Sequence, residues 1–271
     1  MTRRMKLMTG LSTLAAVSAL ALTGCGGEGE GEGAEGEVDL STTISGEAEG
    51  EGAGAEGESE GATASGDPAT DDVAYLKLLG LVRGHLIAFY ELYQSGSQDM
   101  ARMHVKHPES ELYMDIAPAF GPRGQTGFAD ELTALVSAAA AGGEVDSEYS
   151  DAVEALNAHM PAAGPAVMLL AVSEIIRVAA DEFDIGVEDD GAISNAHEYQ
   201  DAYGFLVASR DMVAGIETTD VNATDAISLA HEQIELALAS FDGLTADMTE
   251  GRPSTLYGAA ARIELAARGL M

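Results

Sequence analysis

Large apolar side chains recur along much of the chain at alternating steps of four and three residues, the spacing that lines one face of an α-helix. Tyr75, Leu79, Val82, Leu86, Phe89 and Tyr93 form the longest stripe. Asp71 and Asp72 precede it, where a helix dipole favours negative charge. Tyr149, Val153, Leu156 and Met160 repeat the stepping as far as Pro161, Met168, Val172, Ile175 and Ala179 form another seam, and Ile227, His231, Ile234, Leu238 and Phe241 a fourth. Further helical stretches are predicted roughly over 108–120, 127–141, 192–213 and 254–270. No run of β-branched residues alternates with polar ones between turn signals, so no strand is predicted. Gly121-Pro122, Gly142-Gly143, Gly164-Pro165 and the acidic run Glu188–Gly191 mark short connections. Short links make consecutive helices antiparallel neighbours, so residues 67–271 are expected to form an all-α body: one or two stacked bundles of about seven or eight helices. The seams at both ends of this region share one stepping, a weak sign of internal duplication.

Upstream the pattern disappears. Residues 26–66 are mostly Gly and Glu with Ala and Ser; they contain no Lys, Arg or aromatic residue, and Val38, Leu40 and Ile44 are their only larger apolar side chains. Such a segment cannot bury enough surface to offset its ordering entropy, and its like charges push it open. It is read as a disordered tether with an r.m.s. span of roughly 35 Å.

Before the tether come a basic start with Arg3, Arg4 and Lys6, an apolar stretch from Leu11 to Leu22, and the sequence Leu22-Thr23-Gly24-Cys25. That stretch is too short to span a hydrocarbon core, which takes about 20 residues. The three features together resemble the signal peptide and lipobox of bacterial lipoproteins. The resemblance implies cleavage after Gly24, a signal peptide over 1–24, and an acylated Cys25 that begins the tether (25–66) and holds the protein to membrane lipid. Each buried CH₂ of an acyl chain contributes about 0.8 kcal/mol, so several chains anchor firmly. Gly26, where an Asp would retain the protein at the inner membrane, implies by the same resemblance the outer membrane of a bacterial cell envelope, facing the periplasm.

Charge narrows the partners. The 271 residues carry 46 Asp and Glu against 13 Lys and Arg, a formal net charge of −33, which repels a phosphate backbone and leaves nucleic acid out. A single cysteine rules out an intramolecular disulfide framework, a thiolate zinc cluster and a CxxC redox pair.

The densest chemical signal is the run from Met103 to Tyr113, with His104, His107, Glu109 and Glu111. His104 and His107 lie three apart at the end of a short helical segment that starts near Gln98, and Pro108 suits the first position of a following helix. At such a corner two imidazoles and a carboxylate converge, a donor set suited to Zn, Cu(II), Fe or Mn. His104, His107 and Glu111 are the leading metal candidates. The plainer reading makes His107 a cap, His104 a cover for apolar surface and the glutamates partners of the dipole.

His231 sits on an apolar stripe and His85 flanks another, so either can complete the set or be a satisfied core histidine. In the polar helix from Asn195 to Phe205, Glu198 borders the apolar face and is an inward carboxylate candidate, with Arg177 or Arg210 as its plainer partner. His197 and Asp201 are expected to face solvent. The Glu-x-x-His signature of carboxylate-bridged metal bundles is missing at Glu198. The acidic loop 181–191 does not fit an EF-hand, and neither a nucleophile elbow, a HExxH pair nor a phosphate loop occurs, so catalysis is not expected.

An exported, lipid-anchored, all-helical body with scattered His and Glu resembles the imelysin-like, iron-regulated envelope proteins. The resemblance implies two related helical bundles. Their GxHxxE motif does not match the Gly84-His85 to Glu91 spacing, so no functional residue is carried over. Two functions follow as expectations. One is an envelope protein that captures or delivers a divalent or ferric ion (Zn, Cu or Fe). The other is an envelope scaffold that presents the bundle to a protein partner, with structural histidines and no metal.

Overall fold

The computed structural model describes residues 66–271. The signal segment, Cys25 and nearly all of the tether lie outside the described residues, as do the side chains of His107, Glu109 and Glu111. Among the described residues the protein is all-α, with nine α-helices: α1 (Asp72–Gln94), α2 (Gln98–His107), α3 (Tyr113–Phe120), α4 (Ala129–Ala141), α5 (Asp146–Ala158), α6 (Pro165–Gly186), α7 (Ala196–Ala214), α8 (Val221–Leu238) and α9 (Pro253–Arg268). Extended pairing among them is limited to two isolated bridges, Val187 with Ile193 and Ala192 with Met248.

Helix α1 starts where the sequence suggests. The Asp71 side chain accepts hydrogen bonds from the backbone N–H groups of Val73 and Ala74, satisfying two of the orphan donors of the first turn. All six residues of its stripe are buried. By length and composition α1 could cross a membrane, but 83% of its most apolar window is buried inside the body, which is how a core helix behaves. It packs on α2, α3 and α5 and also on α6 and α7. Helices α2–α5 and α6–α9 therefore form two groups that share α1 and one continuous core.

Two local departures from expectation bear on the site. Pro108 does not open a new helix: its backbone is helical (φ −56°, ψ −39°), and a π-helical turn, Pro108–Leu112, carries α2 into α3. Proline has no N–H for the His104 carbonyl and its ring crowds that group, and a wider turn relieves the crowding. The buried face of α8 shares only Ile234 with the predicted stripe and is otherwise Ala223, Ala226, Ala230 and Ala237, with Ile227 and Leu238 partly buried at its edge. Small residues let α8 lie close to α9, whose buried face includes Ala259, Ala260 and Ala267. His231 consequently sits at the margin of the contact, half-buried, rather than pointing into the bundle.

Candidate metal centre

Two glycines meet where α1 packs on α7. A Cβ on Gly204 would stand 2.9 Å from the Gly84 carbonyl carbon and nearer still to its oxygen, and one on Gly84 would stand 2.9 Å from the Phe205 nitrogen. Only hydrogen fits at either position, and backbone meets backbone there. The crossing brings His85, the residue after Gly84, toward Asp201, almost one turn before Gly204. Helix α2 packs on both α1 and α7 and supplies His104.

His85, His104 and Asp201 are each fully buried. His85 Nδ1 lies 2.6 Å and His104 Nδ1 2.7 Å from the same oxygen, Asp201 Oδ1. Residues 85, 104 and 201 thus form a donor group in which one ligand atom from each lies within 4.8 Å of the others. The Phe205 ring packs edge-on against His85 at 5.0 Å between centroids.

The protonation of His104 follows from its neighbours. Gln200 is buried, and its amide nitrogen donates to the Leu244 carbonyl at 2.8 Å, which leaves Oε1 facing His104 Nε2 at 2.8 Å. An amide oxygen only accepts, so Nε2 must carry a proton. Nδ1 faces a carboxylate, which also accepts. Burial by itself would raise the Asp201 carboxyl, but His85 and His104 outweigh it and hold the group far below the usual aspartate range. With Asp201 ionised, the Nδ1–H of His104 donates to Oδ1.

A second donor group shares Asp201. His197 Nδ1 lies 3.5 Å from Asp201 Oδ2 and 3.7 Å from a Glu198 carboxylate oxygen. Its ring stacks on His104 at 4.5 Å. His197 and Glu198 are half-buried, so this group lies on the solvent side of the buried one. Burial disfavours the charged His197 ring, yet Glu198 and Asp201 together raise its pKa above the ordinary histidine value. The hydrogen bond from His197, and another from Glu182, lower that of Glu198.

The structure brings together two of the expected ligands, His85 and His104, and puts Glu198 in the neighbouring group. His231 on α8 belongs to neither donor group among the described residues. Asp201, Gln200 and Glu182 were not anticipated, and the solvent-facing assignment of Asp201 is reversed. Arg177 pairs with Glu174 and Glu264 and Arg210 with Asp211, so neither is the partner of Glu198. One signal could have found Asp201: Gly84 and Gly204 stand inside helical patterns, where a glycine usually has a packing reason. Compared with family models, curated proteins and solved structures, the chain matches none.

Proposed function

We propose that this protein is a lipid-anchored envelope protein whose helical body captures or delivers a divalent or ferric ion, held by His85, His104 and Asp201. The observation that carries the reading is the Gln200 hydrogen bond. Metal-ligating histidines characteristically donate their second ring N–H to an outer group that fixes tautomer and orientation. Here Gln200 holds Nε2–H, leaving Nδ1 aimed at Asp201 Oδ1 with His85 Nδ1 on its other side. The proton on Nδ1 occupies the position a metal would take. Two imidazoles and one carboxylate suit Zn(II), Fe(II) or Cu(II) better than soft Cu(I). The large excess of acidic groups raises the local cation concentration around the body, and an acylated Cys25 would keep the ion at the membrane surface.

One observation favours the other reading, an envelope scaffold. His104 and Asp201 are already hydrogen-bonded to each other in the interior, and both His104 nitrogens are used, so His104 is satisfied without an ion. Calorimetric titration of the chelator-stripped, full-length protein in detergent separates the two readings. A capture site binds Zn(II), Cu(II) or Fe(II) stoichiometrically, with a heat that depends on the buffer because Nδ1 gives up its proton. The binding disappears in Asp201→Asn and in His104→Ala. A folded wild-type protein that binds none of the three metals at micromolar concentration refutes capture and leaves the scaffold.

A further inference from the structure

Asp201 has two oxygens with different surroundings. Oδ1 serves His85 and His104. Oδ2 is buried and accepts no hydrogen bond among the described residues, although it belongs to a fully buried carboxylate. A buried anionic oxygen without a hydrogen-bond donor is costly, and its ionic neighbour, His197 Nδ1, stands 3.5 Å away. His197 Nδ1 and the Glu198 carboxylate lie beside it, within the 4.8 Å span of the second donor group.

We propose that Asp201 bridges two metal ions: Oδ1 completes the site with His85 and His104, and Oδ2 completes a second site with His197 and Glu198. The inference rests on the proposed capture site and adds a partner ion to it. A carboxylate bridge holds two metals about 3.5–4 Å apart. The His104 and His197 rings stack at 4.5 Å between centroids, so the two donor groups lie side by side.

Glu182 of α6 belongs to the same site. It is buried and hydrogen-bonds the Glu198 carboxylate, which helps to hold that donor in place. The second site is also the way in. All three donors of the inner site are wholly shielded, whereas His197 and Glu198 reach solvent, so an ion meets them first.

The test counts Zn(II) retained by the full-length protein after stripping, reloading and gel filtration. The wild type retains two equivalents. Glu198→Gln and His197→Ala each retain one, and thermal melts establish that both variants are folded. One equivalent in the wild type overturns the second site and leaves the capture site standing; none overturns both. Two equivalents persisting in both variants place the second ion elsewhere and overturn the bridge. The Mn(II)-loaded wild type supplies a separate readout. Its EPR spectrum is exchange-coupled if Asp201 bridges, and an uncoupled spectrum at two equivalents overturns the proposal.

Discussion

Substituting Gly204 by alanine probes the device on which the site depends. The new methyl would meet Gly84 backbone, 2.9 Å from its carbonyl carbon, where ordinary contacts begin at 3.4 Å. No side chain can turn aside to make room, so α1 and α7 must part by at least half an ångström. Overpacking of this kind costs about 1–3 kcal/mol, and alanine returns about 1 kcal/mol of helix propensity. The net loss is therefore about 0–2 kcal/mol, and at about 2–4 °C per kcal/mol for a domain of this size the melting temperature falls by less than about 8 °C. A metal centre built on this crossing would be far less tolerant, because ligand distances must hold to about ±0.2 Å. Separating the helices withdraws His85, whose Nδ1 now lies 2.6 Å from Asp201. Gly204→Ala should thus remain folded and bind Zn(II) at least about tenfold more weakly. Gly80→Ala on the same helix α1 is the control: its methyl meets only the Ile175 and Met212 side chains, which can shift, and affinity should hold. Calorimetry and thermal melts on the three proteins decide the matter. Unchanged Zn(II) affinity in a folded Gly204→Ala would show that the glycine crossing does not position the centre.

Gln200→Leu removes the group that fixes the His104 tautomer, and the expected result is a loss of metal affinity of about 10–100-fold by calorimetry. It also orphans the Leu244 carbonyl, so the metal-free melt should reveal a loss of about 1–3 kcal/mol. Burial pushes the Tyr75 phenol up to about 12 despite the Arg123 guanidinium 4.1 Å over its ring. Because the folded value is raised, Tyr75 contributes stability that is complete below about pH 10 and lost as the pH climbs toward 12. Urea melts of Tyr75→Phe should lose less stability than wild type across that window, and identical losses would contradict the buried phenol.

The all-α class and the α1 face were legible because both follow from periodicity. The stripe from Tyr75 to Tyr93 names residues that are buried without exception. The same reasoning failed on α7 for a physical reason: it assumes a helix with one wet face. Helix α7 packs on α1, α6 and α8, and its buried residues, Tyr199 to Asp201, Phe205 to Ser209 and Met212 among them, go all the way round. On such a helix a polar residue is not thereby a surface residue, and Asp201 was placed in solvent by a rule that did not apply. The α8 error is milder. Large side chains define a stripe in the sequence, but alanines define the face two helices share when they lie close, and His231 moved to the margin with Ile227. His104 does lie in a buried donor group, but among neighbours other than those expected. Its partners come from sequence positions nearly a hundred residues away, a distance no local pattern spans.

Stability gives no sufficient reason for the buried His85–His104–Asp201 group. Removing a charged pair from water costs several kcal/mol per ion, and mutual attraction repays it only with full hydrogen bonding. That condition is not met here, since Asp201 Oδ2 accepts no hydrogen bond among the described residues. Buried ion groups replaced together by apolar residues of similar volume often leave a protein unchanged or more stable by about 1–4 kcal/mol, whereas removal of one member alone destabilises by about 3–5 kcal/mol. The triple variant His85→Phe, His104→Leu, Asp201→Leu should therefore match or exceed the metal-free wild type in a urea melt, while Asp201→Leu alone falls well below it. If the triple variant is the less stable by several kcal/mol, the group serves the fold and the argument from its cost collapses. If it is as stable and has lost Zn(II), the cluster is maintained for the ion, at an expense the helical core does not need.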